Sequence, residues 1–200
     1  MISSNNKPSF TRFNATATST DVLVEAIRRD GGVIVESLIT RDAAEQIKQD
    51  LKPHFDKDTP DKYGLFPPTT QRATGLLGIS DACIELACNP TYISIANALG
   101  DHKVTVSGKP IISSTAGFRV TPGSKQQVLH RDDNDYHPHD AQLPVMIGCV
   151  TALTKTTKEN GATVAIPGSH LWGPERRPLD EEAIPAELEP GDAFIFLGNL

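Results

Sequence analysis

The segment Gln127-Val128-Leu129-His130-Arg131-Asp132 is the part of the chain from which the fold is best predicted. His130 and Asp132 are separated by one residue, so their side chains project to the same side of an extended backbone. At the mouth of a β-barrel, such a pair offers one nitrogen and one oxygen ligand to a single metal ion. Metal centres built from two histidines and one carboxylate use this pair together with a distant second histidine. The tripeptide alone is a weak signal, so the surrounding sequence decides.

Other polar side chains lie close to this pair in the sequence. Gln127 could donate its side-chain amide to a carboxylate on a bound co-substrate, although a solvated residue at a strand end is the simpler interpretation. His137 and His139 follow in an acidic loop and could be further ligands. The acidic residues of this loop are Asp133, Asp135 and Asp140. We favour solvent exposure of the two histidine side chains, because acidic and histidine residues in a flexible loop are more often solvated than bound to a metal.

Length and composition restrict the class of protein. Two hundred residues, of which 38% are hydrophobic, suit one domain with a sizeable core. A net charge of -6 and a pI near 5.5 argue against broad nucleic-acid binding, which usually needs a basic surface. The cysteines lack the spacing of a zinc site, which favours reduced thiols in an intracellular protein: Cys83, Cys88 and Cys149. With no signal-peptide core and no apolar run of bilayer length, we expect a cytoplasmic location.

Helices are predicted mainly in the first half of the chain. Residues 1–19 are rich in Ser, Thr and Asn and predict a loose N-terminal arm. Capping residues and helical spacing of apolar residues indicate the helices that follow. One is capped by Thr20 or Asp21, one is capped by Thr40 and stopped by Pro53, and one or two fill residues 80–99.

Strands are predicted mainly in the second half, apart from an early one at residues 33–35. They appear as short apolar segments separated by turn-rich sequence, at residues 104–106, 111–120, 145–153, 163–166 and 193–197. Helices first and an antiparallel β region second indicate an α+β class. No convincing boundary divides the chain, so residues 1–200 are predicted to form a single domain.

A second polar motif runs from Glu159 to His170. Asn160-Gly161 is a tight-turn signal, and Thr163 then opens a short strand that could place its hydroxyl inside a barrel. His170 is a tempting second histidine for a metal. It follows the turn at Pro167-Gly168, however, where a hydrogen-bonding or surface role is the stronger expectation.

These motifs together resemble those of a known family. Gln-x-x-His-x-Asp, then Glu-Asn-Gly-Ala-Thr-x-x-x-x-Gly-Ser-His, then Pro-Gly-Asp-Ala look like the fungal phytanoyl-CoA dioxygenase-like family in order and spacing. Members are Fe(II)/2-oxoglutarate-dependent oxygenases of secondary metabolism. The likeness runs from about residue 8 to the end. It implies a double-stranded β-helix, or jelly-roll, core with flanking N-terminal helices.

The resemblance also implies roles for individual residues. It makes His130 and Asp132 iron ligands, and Gln127 and Thr163 contacts of 2-oxoglutarate. Arg72 is a weaker candidate for that co-substrate, with a surface arginine as the alternative. The implied cofactors are Fe(II), 2-oxoglutarate and O2. The implied reaction is hydroxylation, desaturation or cyclisation of an alkaloid or terpenoid intermediate in a fungus.

The chain departs from the family pattern at its end. The family places a distal histidine shortly after the last apolar strand, whereas this chain stops at Gly198-Asn199-Leu200. We therefore expect an incomplete domain that lacks the third ligand and the final core strands. Two alternatives stay open: a catalytically inactive remnant that binds a ligand or partner, and a cupin-like metal module without redox chemistry. For partners we expect a small-molecule substrate, no nucleic acid and no membrane, and we leave a homodimer open.

Overall fold

Helices and strands alternate in the first half of the chain, and strands dominate the second. A computed structural model describes residues 9–59, 66–100, 109–133, 146–173 and 175–200. The helices are α1 (Thr20–Asp30), α2 (Arg41–Phe55), α3 (Asp81–Ala87) and α4 (Pro90–Leu99). The strands are β1 (Arg12–Asn14), β2 (Gly32–Glu36), β3 (Thr70–Thr74), β4 (Ala116–Val120), β5 (Ile147–Thr151), β6 (Val164–Ala165), β7 (Ile184–Pro185) and β8 (Ala193–Leu197).

Strand β8 lies inside the main sheet, whose strand order is β1-β2-β8-β5. β1 runs parallel to β2, and the other two pairs are antiparallel. Because side chains alternate along a strand, β8 serves two apolar clusters. Ile195 packs with residues of α1 on one face, and Phe194 packs with Phe10 and Ile34 on the other. The described residues also form two ribbons, β3–β4 and β6–β7.

Two glycines make room for the aromatic rings of β8. Gly32 and Gly148 both pair with Phe196, one from each neighbouring strand. A Cβ on Gly148 would overlap the Phe196 ring, and a Cβ on Gly32 would lie 2.8 Å from the Phe194 ring. The rings of Phe194 and Phe196 stack at 5.2 Å between centroids. Glycine is therefore needed at both positions for the rings to lie across the sheet.

The first two helices lie where the sequence predicts, with two differences. The prediction that Thr20 or Asp21 caps α1 is wrong, because Thr20 is already its first residue and Ser19 precedes it. α1 buries Leu23 and Ile27 and ends at Gly31, whose φ of 84° is the left-handed conformation that favours glycine. α2 starts where the Thr40 hydroxyl accepts the backbone N–H of Ala43 at 3.1 Å. The prediction that Pro53 ends this helix is wrong, because α2 continues to Phe55. Pro53 lies in the exposed last turn and has no backbone N–H to donate. The carbonyl that would have accepted this hydrogen bond can bond water instead, at little cost.

The predicted loose N-terminal arm is also wrong for its described part, residues 9–19. β1 pairs with β2, with Phe13 opposite Val35. Phe10 is 3% exposed, and its ring lies 4.7 Å from that of Phe194 between centroids. Two phenylalanines in a polar stretch thus hold the arm on the sheet, because burying each ring outweighs the cost of ordering the chain. Residues 1–8 lie outside the described residues.

The other predicted strands are largely confirmed where they can be compared. Those at residues 33–35, 163–166 and 193–197 match β2, β6 and β8, whereas β4 and β5 are shorter than predicted. The strand predicted at residues 104–106 lies outside the described residues. The observed class is a mixed helix-and-sheet fold. Within the described part of the chain, every helix is too short or too polar to cross a bilayer.

The Pro190-Gly191-Asp192 turn connects the start of β8 to the end of β2. Asp192 is 5% exposed and accepts hydrogen bonds from the Ser37 N–H at 2.9 Å and from the Arg12 guanidinium at 3.1 Å. Gly191 has a φ of 95°, and a Cβ there would overlap the Ile39 carbonyl oxygen. The turn therefore fixes the relative position of the two strands that carry most of the core.

Candidate metal and co-substrate site

His130 and Asp132 point at each other, as their spacing predicts. The His130 Nε2 atom lies 3.1 Å from an Asp132 carboxylate oxygen, and the two side chains are 51% and 39% exposed. Both lie outside the regular strands: His130 in the segment that precedes a turn at residues 132–133, and Asp132 in that turn. A nitrogen and an oxygen donor therefore meet at a surface that solutes can reach.

The other ring nitrogen of His130 is hydrogen-bonded to the backbone. Its Nδ1 atom lies 2.7 Å from the carbonyl oxygen of Val128. A carbonyl can only accept, so Nδ1 carries a proton, and Nε2 is the ring nitrogen that faces the Asp132 carboxylate. Histidines that bind metals commonly donate their second N–H to a carbonyl in this way.

This arrangement fits a divalent metal ion. A ring nitrogen and a carboxylate oxygen 3.1 Å apart can share a proton or bind one cation between them. Ligand distances of about 2.0–2.2 Å meeting at a right angle would separate the two donor atoms by about 3 Å. The observed separation is therefore compatible with two neighbouring ligands of one ion.

The residues that alternate with this pair anchor the segment to the rest of the fold. Arg131 donates to the carbonyls of Ser169 and Trp172 at 2.8 and 3.1 Å. Asp133 is buried, and its N–H donates to the Gly198 carbonyl at 3.1 Å, just past the end of β8. Sequence reasoning assigned neither residue a role as an anchor. Period-two alternation was the available signal, since it places both on the side opposite His130 and Asp132.

A third ligand is not found among the described residues. No group of three or more His, Cys, Asp or Glu side chains in that part of the chain is arranged to hold a metal ion. His137 and His139, with Asp135 and Asp140, lie outside the described residues. The structure therefore contributes two ligands to the candidate site.

His170 has the hydrogen-bonding role that the sequence predicts, but it is buried. It is 4% exposed, and its Nε2–H donates to the Arg28 carbonyl at 3.0 Å. Its Nδ1 is buried close to Gly31 and Leu200 and has no hydrogen-bond partner among the described residues. Burial lowers the pKa of His170 below its usual 6.5, although the hydrogen bond to Arg28 and the nearby Asp30 carboxylate act in the opposite direction.

The buried ring predicts a loss of stability in mild acid. Above about pH 6.5, His170 is neutral in the folded and in the unfolded chain. Below that pH, His170 takes up a proton more readily in the unfolded chain than in the folded chain, so the free energy of unfolding decreases. We expect the stability advantage of the wild type over His170→Gln, measured by urea unfolding, to shrink from about pH 7.5 to about pH 5.5. An advantage that stays constant over this range would contradict the assignment.

Gln127 and Thr163 occupy exposed positions. Gln127 lies in the same extended segment as His130, three residues before it. Thr163 directly precedes β6, and its backbone carbonyl accepts the Ala186 N–H at 2.8 Å, which aligns the β6–β7 ribbon. Their contact with a co-substrate stays a prediction.

The Arg72 side chain is hydrogen-bonded to the Asp58 carboxylate. It lies in β3, where its backbone N–H and its Nε donate to the Asp58 carboxylate at 2.8 and 3.3 Å. These hydrogen bonds, first of all those from the Arg72 side chain, lower the pKa of Asp58. The Arg72 guanidinium also lies 5.4 Å from the centroid of the Phe66 ring. Arg72 is thus not a freely solvated surface arginine, and its role toward a co-substrate stays a prediction.

A groove of about 610 Å³ lies elsewhere, between α2 and α3. It is lined by four carboxylates and contains none of the candidate site residues; the carboxylates are Asp42, Asp50, Asp81 and Glu85. A dicarboxylate co-substrate would be repelled there. The chemistry of the His130–Asp132 pair is therefore the better guide to the site.

Comparison with curated proteins and family models finds a family match and several similar fungal proteins. Residues 27–200 match the family model described as phytanoyl-CoA dioxygenase. The chain is 33% identical to the dioxygenase peniF of Penicillium patulum, over 94% of this chain and 67% of that protein. It is 34% identical to the dioxygenase swnH1 of Arthroderma benhamiae, over 96% of this chain and 68% of that protein.

Solved structures with a similar fold include two proteins of nogalamycin biosynthesis. The non-haem alpha-ketoglutarate-dependent carbocyclase SnoK matches with a TM-score of 0.70 and 17% identity, over 97% of this chain and 78% of that one. The epimerase SnoN matches with a TM-score of 0.66 and 18% identity, over 90% and 74%. At these identities the likeness concerns the fold. The family match over residues 27–200 and the identity to the fungal dioxygenases together mean that this chain belongs to the phytanoyl-CoA dioxygenase family.

Proposed function

We propose that this chain is an Fe(II)/2-oxoglutarate-dependent dioxygenase that oxidises a small-molecule intermediate of fungal secondary metabolism. The observation that carries the proposal is the 3.1 Å approach of His130 Nε2 to the Asp132 carboxylate. Family membership adds the reaction class, because the relatives peniF and swnH1 are both dioxygenases. The structural neighbours SnoN and SnoK are alpha-ketoglutarate-dependent enzymes, which supports the co-substrate.

His130 and Asp132 would hold the iron in this proposal. His130 would contribute its Nε2 atom, since its Nδ1 atom is bonded to the Val128 carbonyl, and Asp132 would contribute negative charge. Bound Fe(II), together with 2-oxoglutarate and O2, would supply the oxidation that the side chains themselves cannot perform. The exposure of both side chains leaves open positions for the co-substrate and for O2.

Three further residues would orient 2-oxoglutarate. Gln127 has an amide donor, and Thr163 has a hydroxyl donor, and both are exposed. Arg72 could bind a carboxylate as a bidentate donor only if its guanidinium turned away from Asp58. We assign Arg72 the weakest role of the three for that reason. The proposed core is the jelly roll of the family, to which β8 and its neighbours would contribute.

The proposed substrate class is supported by the relatives of the chain. Relatives such as the multifunctional dioxygenase ausE of Penicillium brasilianum, 30% identical, support a fungal natural product as substrate. Hydroxylation, desaturation or cyclisation of an alkaloid or terpenoid intermediate is the proposed outcome. The thiols Cys83, Cys88 and Cys149 are unpaired, which suits a reducing compartment such as the cytoplasm, where Fe(II) is maintained.

Formation of succinate tests the proposal. The protein is incubated under air with Fe(II), ascorbate, 2-oxoglutarate and a panel of fungal alkaloids and terpenoids, and succinate is measured with and without each compound. We expect substrate-dependent succinate that disappears in His130→Ala, because the iron would lose its nitrogen ligand.

A second candidate function is a remnant that binds ligands without catalysis. The specific observation in its favour is that the described residues offer two metal ligands and no third. Such a protein would give no succinate with any substrate and no uncoupled turnover. It would still bind a compound of the panel, which calorimetric titration of the metal-free protein would detect.

A further inference from the structure

Arg131 stands between the two candidate ligands and points away from them. Its guanidinium Nη2 atom donates to two carbonyl oxygens, that of Ser169 at 2.8 Å and that of Trp172 at 3.1 Å. Both carbonyls belong to one short turn, the 3-10 turn Ser169–Leu171 with the residue that follows it. We call residues 169–172 the anchor turn. Hydrogen bonds to a charged donor are stronger than neutral ones, so this contact holds the segment firmly.

The anchor turn is itself fixed to α1 and to the end of β8. Its His170 ring donates to the Arg28 carbonyl at 3.0 Å, and the N–H of Gly168 donates to the Asp30 carbonyl at 2.8 Å. The Asn199 side chain donates to the His170 carbonyl at 3.3 Å. Ser169 and His170 are 6% and 4% exposed. The anchor turn that accepts the Arg131 hydrogen bonds is therefore packed against the core.

The segment is held from a second side as well. The Asp133 N–H donates to the Gly198 carbonyl at 3.1 Å. Anchors on both neighbours of Asp132 restrict the backbone on each side of that carboxylate. Among the described residues, the contacts of the His130 side chain are local, with Val128 and Asp132, so Arg131 provides the neighbouring attachment to the core.

We propose that Arg131 is a positioning residue that holds His130 and Asp132 at the separation needed to bind one metal ion. This inference rests on the proposed function, since it requires that the pair binds a divalent cation. Arg131 touches neither the ion nor a substrate. It acts by fixing the backbone between the two ligands, which would otherwise have to be ordered when the metal binds.

Electrostatics and positioning predict opposite effects of removing Arg131. A guanidinium near the site repels a dication, so loss of its charge alone would tighten metal binding. Loss of the hydrogen bonds to the anchor turn would weaken it, because each ligand would then move independently. The direction of the change therefore separates the two explanations.

The experiment titrates Mn(II) into the metal-free protein and follows free Mn(II) by electron paramagnetic resonance. Mn(II) is used because it does not consume 2-oxoglutarate by itself. We expect Arg131→Ala to raise the dissociation constant about 10–100-fold, the range typical for loss of a supporting contact. Arg131→Lys keeps the charge and one donor, and should restore part of the affinity. Arg176→Ala is the matched control, because Arg176 lies over the Trp172 ring without bonding the carbonyls of the anchor turn.

Thermal unfolding of each variant accompanies the titration. If Arg131→Ala does not fold, Arg131→Lys decides: several-fold weaker binding supports the inference, and wild-type affinity overturns it. If Arg131→Ala folds and binds Mn(II) as tightly as the wild type or more tightly, the inference is wrong while the proposed function stands. If His130→Ala leaves Mn(II) binding unchanged, the proposed function fails and the inference fails with it.

Discussion

Phe194→Ala is expected to lower the free energy of unfolding by about 3–5 kcal/mol, the cost typical of removing a fully buried aromatic side chain. Phe194 is completely buried in β8, and its ring packs against those of Phe10 and Phe196. It also covers Gly32, which has no side chain to fill the space that alanine would leave. The loss is a large share of the roughly 5–15 kcal/mol by which domains are usually stable.

Urea unfolding measures this effect. The midpoint should fall while the slope against urea concentration stays near the wild-type value. Phe118→Ala is the matched control, because Phe118 is 51% exposed on β4 and loses less buried area; we expect a loss below about 1.5 kcal/mol there. Equal losses in the two variants would mean that β8 is not the centre of the core.

His130→Ala and Asp132→Ala are each expected to weaken Fe(II) binding by at least about 100-fold, more than loss of a supporting contact usually costs. The reason is that each variant removes half of the ligand pair that the described residues provide. Anaerobic Fe(II) titration gives the dissociation constants. His54→Ala is the matched control, because His54 lies in the last turn of α2. Its affinity should equal that of the wild type.

The double variant separates one shared ion from two independent ones. If both side chains bind the same ion, His130→Ala combined with Asp132→Ala should be little worse than either single variant. Losses that add in full would indicate that the residues act separately, and would contradict a shared site.

Much of the fold could be predicted from residues whose signals are local. The apolar run of β8, the Thr40 cap and the glycine at position 31 each specify their element with no need for distant contacts. The arm at residues 9–19 could not be predicted, because Phe10 and Phe13 are ordered only by partners on β2 and β8. The composition of a segment does not show whether it is buried, because burial depends on the residues that pack against it.

In the candidate site, too, local features could be predicted from the sequence and long-range contacts could not. The convergence of His130 and Asp132 follows from their spacing and is observed. The partners of the other charged or titratable residues depend on tertiary contacts that spacing cannot show. Arg72 binds Asp58, fourteen positions earlier, and His170 binds Arg28, far away in sequence. The anchor of Arg131 on the 169–172 turn belongs to the same class.

Pulsed electron paramagnetic resonance of bound Mn(II) tests most directly whether residues 130 and 132 hold one ion. Coupling between the electron spin and a directly bound imidazole nitrogen reports coordination by histidine. We expect this coupling in the wild type and expect it to vanish in His130→Ala, with weak residual Mn(II) bound through oxygen alone. Coupling that persists in His130→Ala, or its absence from a wild type saturated with Mn(II), would contradict the account.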